Sequence, residues 1–151
     1  MRADFREEVL QMCDFVRLSY DIDGENFTSA GEASTMVKRS LRQMGFTPEI
    51  IRKVSVSMYE GEINMVIHAK GGKATVDIYE DKIVIVLADE GPGIPDVSLA
   101  MQAGYSTAPE NIRSLGFGAG MGLPNMKKYT DEMQIDTVIG KGTTVTMTVY
   151  V

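Results

Sequence analysis

One cysteine, one histidine and no tryptophan occur among the 151 residues of this chain. A lone cysteine, Cys13, excludes an internal disulfide and favours a reducing compartment. No apolar stretch approaches the ~20 residues that cross a bilayer, and the charged, acidic run from Asp4 to Glu8 is unlike a signal peptide. We therefore expect a cytoplasmic protein with no membrane partner.

Basic residues are also fewer than acidic residues. Lys and Arg number 15 against 21 Asp and Glu, which gives a formal net charge of -6 and a pI near 4.8. This balance disfavours a nucleic-acid partner, because binding of that kind depends on many basic contacts to phosphates. Hydrophobic residues make up 44% of the chain and charged residues 24%, so a folded globular domain with its own core is expected.

The most informative stretch of the sequence begins at Asp89. An unbroken apolar run over residues 83–88 predicts a buried strand, and the segment Asp-Glu-Gly-Pro-Gly-Ile follows it directly. A strand that ends in this way brings a carboxylate to the edge of the sheet and then turns sharply. Gly91 and Gly93 supply the backbone freedom that the turn needs. Taken alone, this segment is also compatible with an ordinary turn at the end of a strand, which is the less favoured interpretation.

A second segment, some 30 residues further on, has a glycine at every other position. Its backbone N–H groups are unobstructed, so the loop can close over an anion. Leu123 and a proline follow, which predicts the first turn of a helix and therefore unpaired N–H donors and a dipole that favour phosphate. The residues of this segment are Gly116, Gly118, Gly120, Met121 and Gly122.

A third group of polar residues shares one face of a predicted helix. Glu60 and Asn64 lie four residues apart, and His68 continues the face one turn later. An exposed face with ordinary polar residues explains this spacing when it is considered alone. For His68 a structural role at the helix end stays as plausible as a ligand contact.

Together, the three segments resemble the N, G1 and G2 boxes of the GHKL ATPase superfamily of gyrase, Hsp90, sensor histidine kinases and MutL. Within it, the sequence is similar to the small bacterial serine/threonine kinases of the anti-sigma-factor type, in particular the switch kinases of partner-switching modules. The resemblance covers about residues 35–151. It implies a single ATP-binding, kinase-like domain, which we assign to residues 15–151. In the N-terminal extension, residues 1–14, Phe5, Val9 and Met12 form an apolar stripe that is compatible with a short helix docked on the domain, a helix that covers a partner surface or a disordered segment.

The expected fold is an α+β two-layer α/β sandwich of the Bergerat type, with a mixed, largely antiparallel sheet and helices on one face. A capping box at Ser29 and Glu32 predicts the start of a helix with Met36, Val37 and Leu41 turned inward. Thr47 is expected to cap the next helix. The predicted strands are 16–22, 74–78, 83–88, 133–139 and 143–151, and the predicted helices are 29–44, 48–69, 97–103 and 123–130.

The resemblance also implies roles for the residues that would contact the adenine base of the nucleotide. Asp89 would accept a hydrogen bond from the adenine amino group, and Gly91, Gly93 and Ile94 would let the base approach the backbone. Thr143 matches the threonine whose hydroxyl assists the aspartate, often through water, and Thr144 is a less favoured substitute.

At the phosphate end, the implied ligands are ATP and Mg²⁺. The Asn64 carbonyl oxygen suits a magnesium ion that already carries phosphate oxygens and water, and Glu60 is placed to act as a general base. The glycines from Gly116 to Gly122, with Met121 and Leu123, would wrap the phosphates. Residues 104–117 are interpreted as a nucleotide lid, in which Arg113 either reaches a phosphate or stays solvated.

The implied activity is phosphorylation of a serine or threonine on a STAS-domain anti-sigma antagonist. A sigma factor or a regulatory phosphatase is a further implied partner, and many members of the family form homodimers. The alternative is a nucleotide-gated, sigma-sequestering module with little or no kinase activity. A sensor histidine kinase is disfavoured, because the only histidine lies inside the helix assigned to the nucleotide.

Overall fold

The computed structural model describes residues 15–24, 30–102 and 122–151. The strands are β1 (Val16–Asp23), β2 (Gly71–Ile78), β3 (Lys82–Ala88), β4 (Glu132–Val138) and β5 (Gly142–Tyr150). The helices are α1 (Glu32–Gln43), α2 (Pro48–Ala69), α3 (Val97–Ala100) and α4 (Gly122–Tyr129). No helix in these three ranges is long and apolar enough to cross a membrane.

The five strands form one sheet in the order β1-β2-β3-β5-β4. All four pairings are antiparallel, so the parallel pair that a mixed sheet would contain is not present among the described strands. β5 is inserted between β3 and β4, and Ile85 pairs with Met147 at the centre of the sheet. This arrangement confirms the predicted two-layer fold.

Burial alternates along β3, because the helices cover only one face of the sheet. Ile83, Ile85 and Leu87 are buried, whereas Val84 and Val86 between them are partly exposed on the opposite face. Successive side chains of a strand point to opposite faces, so an apolar run becomes half core and half outer surface. The inner face packs against buried residues of α1, α2 and α4 in one hydrophobic core.

The start of α1 differs from the prediction. The helix begins at Glu32 and not near Ser29, which lies outside the described residues, and its N-cap is Gly31 without a side-chain cap. A carboxylate from α2 takes the place of the capping box. Glu62 accepts hydrogen bonds from the backbone N–H groups of Gly31 at 2.6 Å, Ser34 at 3.1 Å and Ala33 at 3.4 Å.

The inward face of α1 was predicted only in part. Val37 and Leu41 are fully buried, as expected, but Met36 is 51% exposed. At about 100° per residue, Met36 is rotated away from the face that Val37 and Leu41 present to the core. The prediction for Met36 is therefore wrong.

Helix α2 begins and ends where the sequence predicts. The Thr47 hydroxyl accepts a hydrogen bond from the N–H of Ile50 at 3.3 Å, and Pro48 occupies the first helical position. The helix ends at Ala69, with Lys70 in the left-handed conformation at φ 59°. Four predicted core positions of this helix are confirmed as buried, namely Ile51, Val54, Met58 and Val66.

The remaining elements are found in the predicted order, and the largest difference at a strand end is in β2, which begins at Gly71, three residues before the predicted start. The Asp96 carboxylate caps α3 by accepting from the N–H of Leu99 at 3.0 Å, and α3 ends at Ala100, earlier than expected. The start of α4 and the starts of both C-terminal strands lie one residue before the predicted positions. Differences of one or two residues are common at the ends of elements, and the three-residue differences at the start of β2 and the end of α3 exceed them.

Candidate functional site

Helix α2 presents Glu60 and Asn64 toward the first turn of α4. Both residues are partly buried. An added Cβ on Gly122 would lie 2.8 Å from Nδ2 and 2.9 Å from Oδ1 of Asn64. Glycine at position 122 therefore lets α4 begin directly over the Asn64 amide, which would have to shift if this position carried a side chain. The second and third segments of the sequence meet at this pair.

Two residues of α4 extend this contact. The Nδ2 amide of Asn125 lies 3.5 Å from Oε1 of Glu60, and Nδ2 of Asn64 lies 3.9 Å from the Met126 sulfur. The sequence analysis did not single out Asn125. Its sequence signal was the helical periodicity that starts at Leu123. This periodicity places Asn125 on a different face of α4 from Met126, whose side chain is in the core.

His68 lies in the last turn of α2, on the face that carries Glu60 and Asn64. Although the residue is exposed overall, partial burial of its imidazole lowers the pKa of His68 below its ordinary value. The ring is therefore mainly neutral near pH 7. A ligand role for His68 stays a prediction.

The two carboxylate oxygens of Asp89 have different environments at the end of β3. Oδ1 accepts hydrogen bonds from the N–H of Gly91 at 2.9 Å and from the N–H of Thr143 at 3.1 Å. The Asp89 N–H in turn donates to the carbonyl oxygen of Thr143 at 2.9 Å. Oδ2 has no partner within the described part of the chain. The backbone thus fixes one oxygen and leaves the other open as an acceptor.

The loop after β3 is attached to the β4–β5 turn. The N–H of Ile94 donates to Oγ1 of Thr137 at 2.8 Å, and the N–H of Gly140 donates to the carbonyl oxygen of Pro92 at 2.9 Å. Gly93 adopts φ 85°, and an added Cβ there would lie 2.8 Å from the carbonyl oxygen of Val138. Glycine is required at Gly93 for both reasons.

Thr137 is a site residue that the sequence analysis missed. Its Oγ1 lies 2.9 Å from Oγ1 of Thr143, so the two hydroxyls form a hydrogen-bonded pair. The signal for Thr137 was present in the predicted hairpin, because a register drawn through the turn at Gly140 places it opposite Thr143. Thr144, the substitute for Thr143, is on the outer face of β5, where alternate residues point away from the core.

Other predicted residues are placed as follows. The side chain of Leu123 is 9% exposed and belongs to the core, so any contact that it makes with a ligand would involve its backbone. Ile94 is partly buried against the same core. Gly116, Gly118, Gly120 and Met121 lie outside the described residues, as does the predicted lid with Arg113.

The donor atoms of the described site fit a cation held mainly by a nucleotide. No three His, Cys, Asp or Glu side chains come together in the described ranges. Asn64 offers a single amide oxygen, which is a suitable ligand for Mg²⁺ when phosphate oxygens and water complete the coordination. The Asn64 amide oxygen is therefore a suitable ligand for a metal ion that binds together with its nucleotide.

Comparison with known proteins identifies the family. Residues 25–149 match the family model described as the histidine kinase-like ATPase domain. The match covers most of the chain and every described element after β1, so the chain belongs to this family. An ATPase domain binds ATP, which agrees with the acceptor at Asp89 and the close contact between Asn64 and Gly122.

Two relatives define the branch of the family more closely. An anti-sigma F factor of Caldanaerobacter subterraneus is 38% identical over 124 residues, which are 79% of this chain and 83% of the relative. The serine/threonine-protein kinase RsbT of Bacillus subtilis is 29% identical over 106 residues, which are 68% of this chain and 74% of the relative. The chain is thus of the anti-sigma factor and switch-kinase type, as its motifs indicated.

A solved structure supports the fold. The crystal structure of the SiaB–SiaC complex from Pseudomonas aeruginosa contains a chain that matches with a TM-score of 0.50 and 12% identity. The match covers 100% of this chain and 99% of the other. At this level of identity the similarity concerns the fold alone.

Proposed function

We propose that the protein is an ATP-dependent serine/threonine kinase that phosphorylates a STAS-domain antagonist and thereby switches binding partners. The observation that carries the proposal is the contact between α2 and α4. It places a carboxylate, Glu60, and an amide, Asn64, together at the start of a helix whose N-terminus favours phosphate. The names of the relatives, an anti-sigma factor and a serine/threonine kinase, support the same assignment.

In this proposal the base of ATP binds at the end of β3. The open Oδ2 of Asp89 accepts a hydrogen bond from the adenine amino group, while its Oδ1 stays bound to two backbone N–H groups. A guanine base presents a carbonyl oxygen at the equivalent position and would meet a carboxylate that cannot donate. Adenine is therefore the base that this site favours.

The phosphates bind between α2 and α4. The N–H groups in the first turn of α4 and its helix dipole favour negative charge. Mg²⁺, when bound, neutralises charge on the phosphate oxygens, and the Asn64 oxygen would be its protein ligand. The glycines from Gly116 to Gly120 would complete the phosphate contacts as their motif predicts.

Glu60 acts as the general base. Its carboxylate takes the proton of the acceptor serine or threonine hydroxyl as that oxygen bonds to the γ-phosphorus of ATP and the bond to the β-phosphate oxygen breaks. The products are a phosphorylated partner and ADP. Asn125 donates toward Oε1 of Glu60 at 3.5 Å, which leaves the second oxygen of Glu60 for the incoming hydroxyl.

The second candidate is a nucleotide-gated module that sequesters a sigma factor with little or no phosphoryl transfer. It is favoured by the exposed hydrophobic side chains of Met36 and Tyr59, which are 51% and 39% exposed. They line a surface cavity of ≈ 400 Å³ beside the start of α1. Exposed apolar side chains grouped in this way are typical of protein contact sites.

Mass spectrometry of a transfer reaction tests the kinase. The full chain, Mg²⁺, ATP and STAS-domain proteins of the same organism are incubated together, and phosphoserine and phosphothreonine are counted. Glu60→Gln should slow transfer by roughly 10²–10⁴-fold, the usual contribution of a general base. The matched control is Glu49→Gln, because Glu49 is exposed on the same helix and forms an ion pair with Lys53, away from Asn64 and Asn125.

The outcomes separate the two candidates. Transfer by the parent chain and by Glu49→Gln, but not by Glu60→Gln, supports the kinase. Transfer at an equal rate by Glu60→Gln would remove Glu60 from the mechanism. ATP-dependent capture of a sigma factor, with no phosphoprotein formed by the parent chain, would favour the sequestering module.

A further inference from the structure

We infer that Arg52 binds an acidic side chain of the protein that this chain phosphorylates, at a point about 12 Å along α2 from the base Glu60. The inference rests on the proposed function and deepens it, because it assigns a chemical feature to the partner. Arg52 contributes to binding of the partner in this proposal and takes no part in the transfer of the phosphoryl group.

Three contacts join α2 to α4 along one line, which we call the α2–α4 seam. On α2 they are made by Asn64, Glu60 and Arg52, which are four and eight residues apart and therefore share one face of the helix. Their partners on α4, in the same order, are Gly122, Asn125 and Tyr129. The two helices thus run in opposite directions, and Arg52 lies at the end of the seam away from the proposed phosphate site.

The ring of Tyr129 holds two positive charges at this end of the seam. The guanidinium carbon of Arg52 lies 5.7 Å from the ring centroid, and the ammonium nitrogen of Lys128 lies 5.5 Å from it. Nη2 of Arg52 also donates to the Tyr129 hydroxyl oxygen at 3.5 Å. Both cations are exposed, and a guanidinium has five N–H donors. Arg52 is therefore positioned by Tyr129 and keeps further donors for a ligand.

Neither cation has a carboxylate partner within the ranges that the structure describes. The contrast with the next residue is direct, because Lys53 forms an ion pair with Glu49 on the same helix. The whole chain has a net charge of -6, so two positive charges left without a counter-charge are a local exception. Opposite charges across an interface speed association and fix its orientation, so this end of the seam favours an acidic surface on the partner.

The position of Arg52 relative to Glu60 indicates where the acidic side chain lies on the partner. The acceptor hydroxyl must approach Glu60, and Val56, one turn from each, offers a partly exposed apolar contact between them. An extended segment advances about 3.3 Å per residue, so its carboxylate would follow or precede the acceptor by about three or four residues. A guanidinium binds a carboxylate through two parallel N–H bonds, which makes Asp or Glu the matching side chain.

Steady-state kinetics of transfer tests the inference. The substrate is the STAS-domain protein of the same organism that the mass-spectrometric reaction shows to be phosphorylated, and its concentration is varied at saturating Mg²⁺ and ATP. Arg52→Gln should raise the KM for this protein about three- to tenfold, as expected for a charge pair at the edge of an interface. Arg52→Glu should raise it further. In both variants kcat and the KM for ATP should equal those of the parent chain.

The matched control is Lys73→Gln, which removes one positive charge from an exposed position on β2. Lys73 alternates with the buried Ala74 and so points away from the helices, and its variant should keep the parent KM. Thermal melting followed by circular dichroism checks that each variant is folded. If Arg52→Gln melts below the assay temperature, Arg52→Lys replaces it and should give a smaller rise in KM, because lysine keeps the charge but not the paired donors.

Charge reversal on the partner identifies the contact itself. The Asp and Glu residues within about four positions of the phosphorylated residue, a reach set by the length of an extended segment, are changed to Lys one at a time. One of these partner variants should be a poor substrate for the parent chain and a better one for Arg52→Glu. Such a reciprocal effect is expected only when the two side chains interact.

The inference is overturned if Arg52→Gln and Arg52→Glu both keep the parent KM, or if Lys73→Gln raises KM as much as Arg52→Gln does. An effect of Arg52→Gln on the KM for ATP alone would also overturn it, because Arg52 would then act on the nucleotide. If the parent chain phosphorylates no STAS-domain protein, the proposed function fails and this inference fails with it. Normal transfer with no effect at Arg52 leaves the proposed function intact and removes only the acidic contact.

Discussion

Asp89 shows how one side chain serves both the fold and the site. Its Oδ1 joins the loop after β3 to β5 through the N–H groups of Gly91 and Thr143, and its Oδ2 remains open. Substitution by asparagine separates the two roles. The amide oxygen can keep the contacts of Oδ1, while an NH₂ group, which cannot accept from the adenine amino group, takes the position of Oδ2.

Asp89→Asn is therefore expected to fold and to lose ATP binding by roughly 100-fold or more, because a buried donor on the ligand loses its acceptor and faces another donor. Calorimetric titration with Mg²⁺ and ATP measures the loss. Asp136→Asn is the matched control, since Asp136 is exposed on β4 and its side-chain hydrogen bonds within the described residues are to Gln134 alone. An unchanged affinity in Asp89→Asn would exclude Asp89 as the adenine acceptor.

Residues of the site were predictable where a local pattern determines them. Asp89 follows an apolar strand, and Glu60 and Asn64 share a helical spacing, so the sequence reveals both features. For Thr137 the hairpin register shows only the pairing with Thr143, and the contact with the N–H of Ile94 comes from a segment 43 residues away. Asn125 has no such local pattern, because its contact with Glu60 depends on the packing of α4 against α2.

Among the elements, α1 illustrates a contact that local patterns cannot predict. The capping box at Ser29 and Glu32 satisfied the sequence rule, but the helix begins at Glu32 and its N–H groups are bound by Glu62. Glu62 is 2% exposed, and it lies 28 to 31 residues further along the chain than its partners. Tertiary structure has overridden the local preference, as often happens when a buried charge finds donors.

We expect Glu62→Ala to cost about 2–4 kcal/mol of unfolding free energy, because it leaves buried N–H groups at the start of α1 without an acceptor. Glu32→Ala should cost no more than about 0.5 kcal/mol, as is usual for an exposed position. Urea denaturation followed by circular dichroism measures both. Equal costs for the two variants would show that Glu62 is not the principal cap of the helix.

At the scale of the whole molecule, the site draws on both layers of the fold. Glu60 and Asn64 belong to α2, Gly122 to α4, Asp89 to the end of β3 and Thr143 to β5. A ligand that contacts all of them holds the helices to the sheet. The overall fold was predictable because the apolar alternation of the strands and the Thr47 cap of α2 are local, whereas the insertion of β5 between β3 and β4 is not.

ATP is therefore expected to stabilise the entire domain against heat. At about 100 times its Kd, a ligand adds about 2.7 kcal/mol, which corresponds to a rise in Tm of roughly 5–10 °C for a chain of this size. Differential scanning calorimetry with Mg²⁺ and ATP measures the shift, and inorganic triphosphate is the control. An equal shift with triphosphate would mean that the adenine end contributes nothing.

The insertion of β5 has a consequence for synthesis on the ribosome. β3 is complete early, but the strand that pairs with its open edge is β5, and among the described strands β4 pairs with β5 alone. Until β5 leaves the exit tunnel, β3 presents unpaired backbone groups flanked by Val84 and Val86, a surface that favours contact between chains. The nascent chain thus exposes this strand edge until β5 has left the tunnel and paired with β3.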